Sequence, residues 1–232
     1  MVRVVLIAFL LLAGAGCRTG DSGESVAMAI SPDGRNEIRL WTDPLAYEVA
    51  RDGEIVVAKS EIGMKVNGKD LPSLKLPGDC FRVLERRSLA GAVDAPVYKK
   101  ARVDLSGNET FADFGGWGVR LVARNDGVAY RFETGLSGEI TVDGETANVS
   151  FPSGDVKGVL HATRNCGCEE SPARFDALGS LATNEFAYLP AAFSINGKFV
   201  VVTESDVYDY PVWNLSARGE AVFAGFPAET YR

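Results

Sequence analysis

The densest run of chemistry-bearing side chains is Val200–Leu215, VVVTESDVYDYPVWNL. Strand alternation puts Glu204, Asp206, Tyr208 and Tyr210 on one face. Thr203, Ser205, Val207 and Asp209 take the other. An acid pair beside aromatic rings suits a sugar, whose hydroxyls donate to carboxylates, or a hard cation. Oxygen ligands suit calcium, but calcium takes about 6–8 of them. Glu204 and Asp206 therefore form at most a partial site that something else completes. The competing reading is a solvated edge, because edge strands commonly carry charges. Trp213, Tyr208 and Tyr210 could stack sugars, or pack in the core as large rings usually do.

The other candidates carry less. His161 is the only histidine, and no G-x-S-x-G elbow accompanies it, so no Ser/His/Asp arrangement can be built. It reads as a strand-end or surface residue. Glycoside hydrolysis needs two facing carboxylates. Glu169, Glu170 and Glu185 offer such groups, yet spacing alone does not bring any two together, and such acids are mostly solvated. No phosphate loop, dinucleotide fingerprint or EF-hand loop is present. Gly115-Gly116-Trp117-Gly118 precedes a strand instead of a helix and reads as a bend or bulge.

Composition narrows the classes. The 232 residues carry 24 Lys and Arg against 31 Asp and Glu, a net charge of −7. Hydrophobic residues make up 46% and charged residues 24%, a globular balance that excludes wholesale disorder. The acidic balance argues against a nucleic-acid partner, since phosphate binding needs Lys and Arg.

The first residues read as an address. Residues 1–16 pair a positive Arg3 with the apolar run Val4–Leu12 and small residues before Cys17. The run is shorter than a spanning helix needs. Ala15-Gly16-Cys17 resembles a lipoprotein signal with Cys17 as the lipidated residue, although Gly14 stands where an aliphatic residue is usual. The expectation is an exported periplasmic or cell-envelope lipoprotein that meets the membrane only through its lipid. Residues 17–24 would be a flexible tether. Export permits disulfides. Cys80, Cys166 and Cys168 leave an odd thiol, and C-x-C is too tight to bridge to itself. Pairing of Cys80 with either of the others stays open.

From Ser25 onward the dominant period is two. Short alternating runs are punctuated by Asp33-Gly34, Asp52-Gly53, Asn67-Gly68, Asp126-Gly127, Asp143-Gly144 and Asn196-Gly197, all hairpin-turn dipeptides. The clearest hairpin is Trp117–Thr134. Trp117, Val119, Leu121 and Ala123 share its apolar face, and Arg120 and Arg124 take the wet one. Further strands are expected at Val26–Ile30, Glu37–Thr42, Ala46–Arg51, Glu54–Ala58, Gly63–Val66, Phe81–Ser88, Val97–Leu105, Ile140–Val142, Asn148–Phe151, Phe186–Leu189, Phe199–Thr203, Val207–Leu215 and Ala221–Gly225. Residues 161–185 read as a long surface excursion, with at most one helical turn within Ser171–Leu181. The pattern predicts an all-β domain over residues 25–232, a large antiparallel sandwich of two sheets.

Several motifs, in order, resemble the N-terminal domain of glycoside hydrolase family 97. Ser31-Pro32-Asp33-Gly34 opens the domain. Leu45–Val49 (LAYEV) with Arg51-Asp52-Gly53 fits the early hairpin. Asp126-Gly127-Val128-Ala129-Tyr130-Arg131-Phe132 fits a later one. Val202-Thr203-Glu204-Ser205-Asp206 and Asp209-Tyr210-Pro211 complete the set. The resemblance implies a galactose-mutarotase-like supersandwich joined to a catalytic (β/α)8 barrel that cleaves α-glucosides or α-galactosides. It implies that Glu204 is a calcium ligand, with the remaining ligands and the catalytic acids on the barrel. No barrel residues lie within residues 1–232, so the barrel is expected in cis or in trans, with an α-linked oligosaccharide as substrate. The chain alone is expected to be non-catalytic. The alternatives are a stand-alone carbohydrate-binding lipoprotein and an envelope module with no ligand.

Overall fold

The computed structural model describes residues 25–71, 82–97, 99–152, 156–162, 173–177, 186–205, 213–218 and 222–227. The strands run, in order, β1 Ala27–Ile30, β2 Asn36–Thr42, β3 Leu45–Arg51, β4 Glu54–Val66, β5 Lys69–Asp70, β6 Arg82–Leu89, β7 Ala92–Asp94, β8 Arg102–Asp104, β9 Gly107–Asp113 and β10 Trp117–Arg124. They continue with β11 Gly127–Thr134, β12 Val142–Ser150, β13 Val156–Ala162, β14 Ala173–Asp176, β15 Phe186–Tyr188, β16 Ala191–Ile195, β17 Lys198–Val202, β18 Trp213–Ala217 and β19 Val222–Pro227. All pairings are antiparallel. The described residues contain no α-helix. The predicted all-β sandwich is the fold.

The large sheet has the order β1-β2-β3-β4-β12-β19-β18-β15, with β5 beside β4. Two four-stranded sheets, β11-β10-β9-β6 and β14-β13-β16-β17, carry the other inward faces, and β7 with β8 forms a separate hairpin. Thr110 and Asn108 on β9 donate to the carbonyls of Met28 and Ile30 on β1, both at 2.8 Å. Carbonyls on an edge strand, which would otherwise need solvent, are thereby satisfied. Inward residues from all three sheets join one core, including Leu40, Ile62, Leu121, Phe193 and Leu215.

The turn chemistry accounts for much of this. Asp52, Asn67 and Asn196 have positive φ, as do the glycines that follow them. Asn and Asp tolerate that region better than most residues, and Gly enters it freely. Gly115 and Gly116, at φ 78° and 89°, form the bend between β9 and β10. Gly118 has a different reason: a Cβ there would lie 2.4 Å from the Phe111 ring.

Six expectations need correction. Of Val97–Leu105 only Arg102–Asp104 is strand among the described residues, and Ile140 and Thr141 lead into β12, which starts at Val142, instead of forming a strand of their own. Asp143-Gly144 makes no turn, because β12 runs through it with a register irregularity between Val142 and Gly144. Glu54–Ala58 and Gly63–Val66 are parts of one strand, β4. The described residues inside Ser171–Leu181 form no helical turn: Ala173–Asp176 is a strand on the edge of β13. Finally, β17 ends at Val202, so alternation does not carry Glu204 along a continuing strand.

Candidate functional site

Thr203, Glu204 and Ser205 follow directly on β17. The Glu204 carboxylate does not face open water. It accepts from the Trp213 backbone N–H at 3.0 and 3.1 Å through its two oxygens. Trp213 opens β18 and is half-buried. Its indole Nε1–H donates to Glu145 Oε2 at 3.2 Å. Trp213 thus holds a carboxylate at each end, one through its backbone and one through its ring.

Topology makes this possible. Glu145 lies on β12, and β19 separates β12 from β18. Two inter-strand spacings come to about 10 Å, a gap that a long indole bridges and a short side chain does not. Sequence reading missed Glu145. It sits next to the Asp143-Gly144 pair that resembled a turn, and no local pattern marks it. Only the order β12-β19-β18 brings it near Trp213.

Glu204 is electrostatically incomplete. Burial pushes its carboxyl above the ordinary range, and the Trp213 N–H pulls back less strongly. Among the described residues no Lys or Arg pairs with it. The described residues also contain no group of three His, Cys, Asp or Glu side chains suited to hold a metal. A carboxylate accepting one N–H still has lone pairs to offer. Glu204 therefore fits a single calcium donor, one of several that the ion requires.

The structure brings together Glu204 and Trp213 of the sequence candidates, and adds Glu145. His161 lies in β13, in register with Arg174. Asp206, Tyr208, Tyr210, Cys17, Cys80, Cys166, Cys168, Glu169, Glu170 and Glu185 lie outside the described residues, as do the segments 1–16 and 17–24.

Residues 30–229 match the family described as Glycosyl-hydrolase 97 N-terminal. The chain belongs to this family. The domain is 26% identical, over 219 residues, to a protein from Bacteroides thetaiotaomicron named "Retaining alpha-galactosidase", covering 86% of this chain and 32% of that one. It is 30% identical over 183 residues to the "Probable retaining alpha-galactosidase" of Streptomyces bingchenggensis, covering 76% and 27%.

Among solved structures, the domain is similar to a glycoside hydrolase family 97 enzyme from Pseudoalteromonas sp. strain K8 in complex with acarbose. The TM-score is 0.70 at 19% identity, over 88% of this chain and 32% of that one. A β-arabinopyranosidase is similar at TM-score 0.70 and 18% identity, over 86% and 35%. These structural likenesses bear on the fold alone. The family 97 domain spans about a third of the length of each relative.

Proposed function

We propose that this domain is the non-catalytic N-terminal part of an exported family 97 α-glycosidase. In this reading Glu204 donates to a calcium ion whose other ligands come from a catalytic (β/α)8 barrel. The observation that carries it is the state of Glu204, which is half-buried, oriented by the Trp213 N–H and without a cation among the described residues. A bound calcium supplies the missing positive charge. Trp213 fixes the carboxylate, and Glu145 fixes the Trp213 ring. The names of the relatives support an α-galactoside as substrate, with the bond-cleaving acids on the barrel. Lipidation at Cys17 after removal of residues 1–16 would hold the protein at the cell envelope.

Two measurements test this reading. Hydrolysis of aryl α-galactosides and α-glucosides by residues 17–232 should be poor or absent, and an ordinary enzymatic rate would overturn the non-catalytic role. Calcium calorimetry on the protein joined to its barrel should show a site that Glu204→Gln weakens at least tenfold. Equal affinity in both proteins would remove Glu204 from the ligand set.

A further inference from the structure

Glu204 has little of its own to hold it. β17 ends at Val202, so no ladder fixes the backbone at Glu204. Besides the Trp213 N–H, the contact made there is Thr203 Oγ1 donating to the Glu204 carbonyl at 3.4 Å, near the limit of a hydrogen bond. Both carboxylate oxygens share the one Trp213 N–H, at 3.0 and 3.1 Å. The direction in which the carboxylate presents its remaining lone pairs therefore follows the Trp213 backbone.

The sheet does not clamp Trp213 at this corner. Trp213 opens β18 in register with Pro227, the last residue of β19. That pair exchanges no ladder hydrogen bonds, because proline has no N–H and the Trp213 N–H is turned to Glu204. Among the described residues no aromatic ring packs on the indole. The torsion that swings an indole about its Cβ–Cγ bond is broad and roughly two-fold. The polar contact that selects one orientation is the bond from Nε1 to Glu145 Oε2 at 3.2 Å.

Glu145 is better anchored. It lies on β12, inside the large sheet between β4 and β19. From Gly144 to Ala147 the pairing with β4 runs uninterrupted, with Glu145 opposite Met64. Continuing the β12–β19 register past Ala147 and Gly225 sets Glu145 level with Pro227. Trp213, Pro227 and Glu145 thus form one row across the strands, and the indole reaches along it.

We infer that Glu145 is a positioning residue for the calcium site: it holds the Trp213 ring, the ring holds the backbone N–H of the same residue, and that N–H sets where the Glu204 carboxylate points. This deepens the proposed function above and rests on it. Glu145 acts as a hydrogen-bond acceptor for the indole, not as a charge for the ion. Calcium calorimetry on the protein joined to its barrel tests it. Partners that orient a metal ligand typically contribute about 10–100-fold in affinity, and Glu145→Ala, which acts at one remove, should weaken calcium about tenfold. Glu145→Gln keeps a carbonyl acceptor and should restore most of that loss. Trp213→Phe keeps a ring and removes the Nε1–H. It should weaken calcium as Glu145→Ala does, and combining the two should cost nothing further. A Glu145→Gln loss as large as that of Glu145→Ala, or an undiminished effect of Glu145→Ala in the Trp213→Phe protein, would overturn the assignment, because Glu145 would then act by its charge or independently of the indole. Glu204→Gln separates the two readings. If it weakens calcium and Glu145→Ala does not, the positioning role is wrong and the proposed function stands. If Glu204→Gln leaves the affinity unchanged, the proposed function falls and takes the positioning role with it.

Discussion

Glu133, on β11, and Glu204, just past the end of β17, are both partly buried carboxylates, and they are held in opposite ways. Glu133, on β11, accepts from Arg120 at 2.5 and 2.8 Å and from Arg131 at 2.7 Å. The Arg120 guanidinium above all holds its carboxyl down at about 2. Arg120 also reaches Glu109 at 2.5 Å, and Arg87 meets Glu109 at 2.6 Å. The outer face of β11-β10-β9-β6 is thus a closed ladder of alternating charge. Glu204 has one backbone N–H and no cation among the described residues, and the sheet leading to it has an apolar outer face. One sheet is finished for water by its own side chains. The other is finished only if something outside the described chain supplies a charge and a cover.

The largest expected effect breaks the finished side. Arg120→Ala leaves Glu109, whose side chain is only 6% exposed, facing Arg87 alone. Removing one partner of a buried ion pair costs about 3 kcal/mol. Urea unfolding should show that loss, and a change under about 1 kcal/mol would make the ladder an ornament of the surface.

Next comes acid. A carboxyl held below its ordinary value stabilises the fold above the unfolded-state pKa, and that contribution fades as pH falls toward the folded value. For Glu133 the window runs from 4.5 down to about 2. The loss should be about 1–2 kcal/mol, less than the full shift implies because the pair touches solvent. Unfolding titrations of Glu133→Gln should lack this component.

Glu204 carries the opposite sign. A raised carboxyl favours the fold below the unfolded pKa, and that advantage disappears as pH rises through the folded value. Calcium-free Glu204→Gln should therefore match or exceed the parent in stability at neutral pH, by under about 1 kcal/mol. Clear destabilisation would mean that the charge is already compensated within the chain. The smallest effect belongs to the exposed face of β17. Phe199→Ser and Val201→Ser should change unfolding by no more than about 0.5 kcal/mol while reducing self-association in light scattering. A large loss would show that both side chains are core.

Strands whose apolar face alternates cleanly were legible in the sequence. Trp117, Val119, Leu121 and Ala123 are all buried, as the hairpin pattern implies. Among the strands that escaped notice is β9, GNETFAD. Its buried positions include Glu109, covered on the outer face by Arg120 and Arg87, and Thr110, which donates to the Met28 carbonyl on the other. Polar burial leaves no hydrophobic period to read. The same limit hid β13 and β16, which fall where Gly158 and small residues weaken the signal. At the site, the motif around Glu204 was legible, while Glu145 was not, because it is linked to Glu204 only through Trp213, whose backbone meets one acid and whose ring meets the other.

The most direct test is a pH titration of the Glu204 carboxyl carbon by 13C NMR, without calcium, in residues 17–232. An incomplete site predicts a midpoint above the ordinary glutamate value of 4.5. A midpoint at or below that value would contradict the account, because it would mean that this chain already supplies the positive charge assigned to a bound ion.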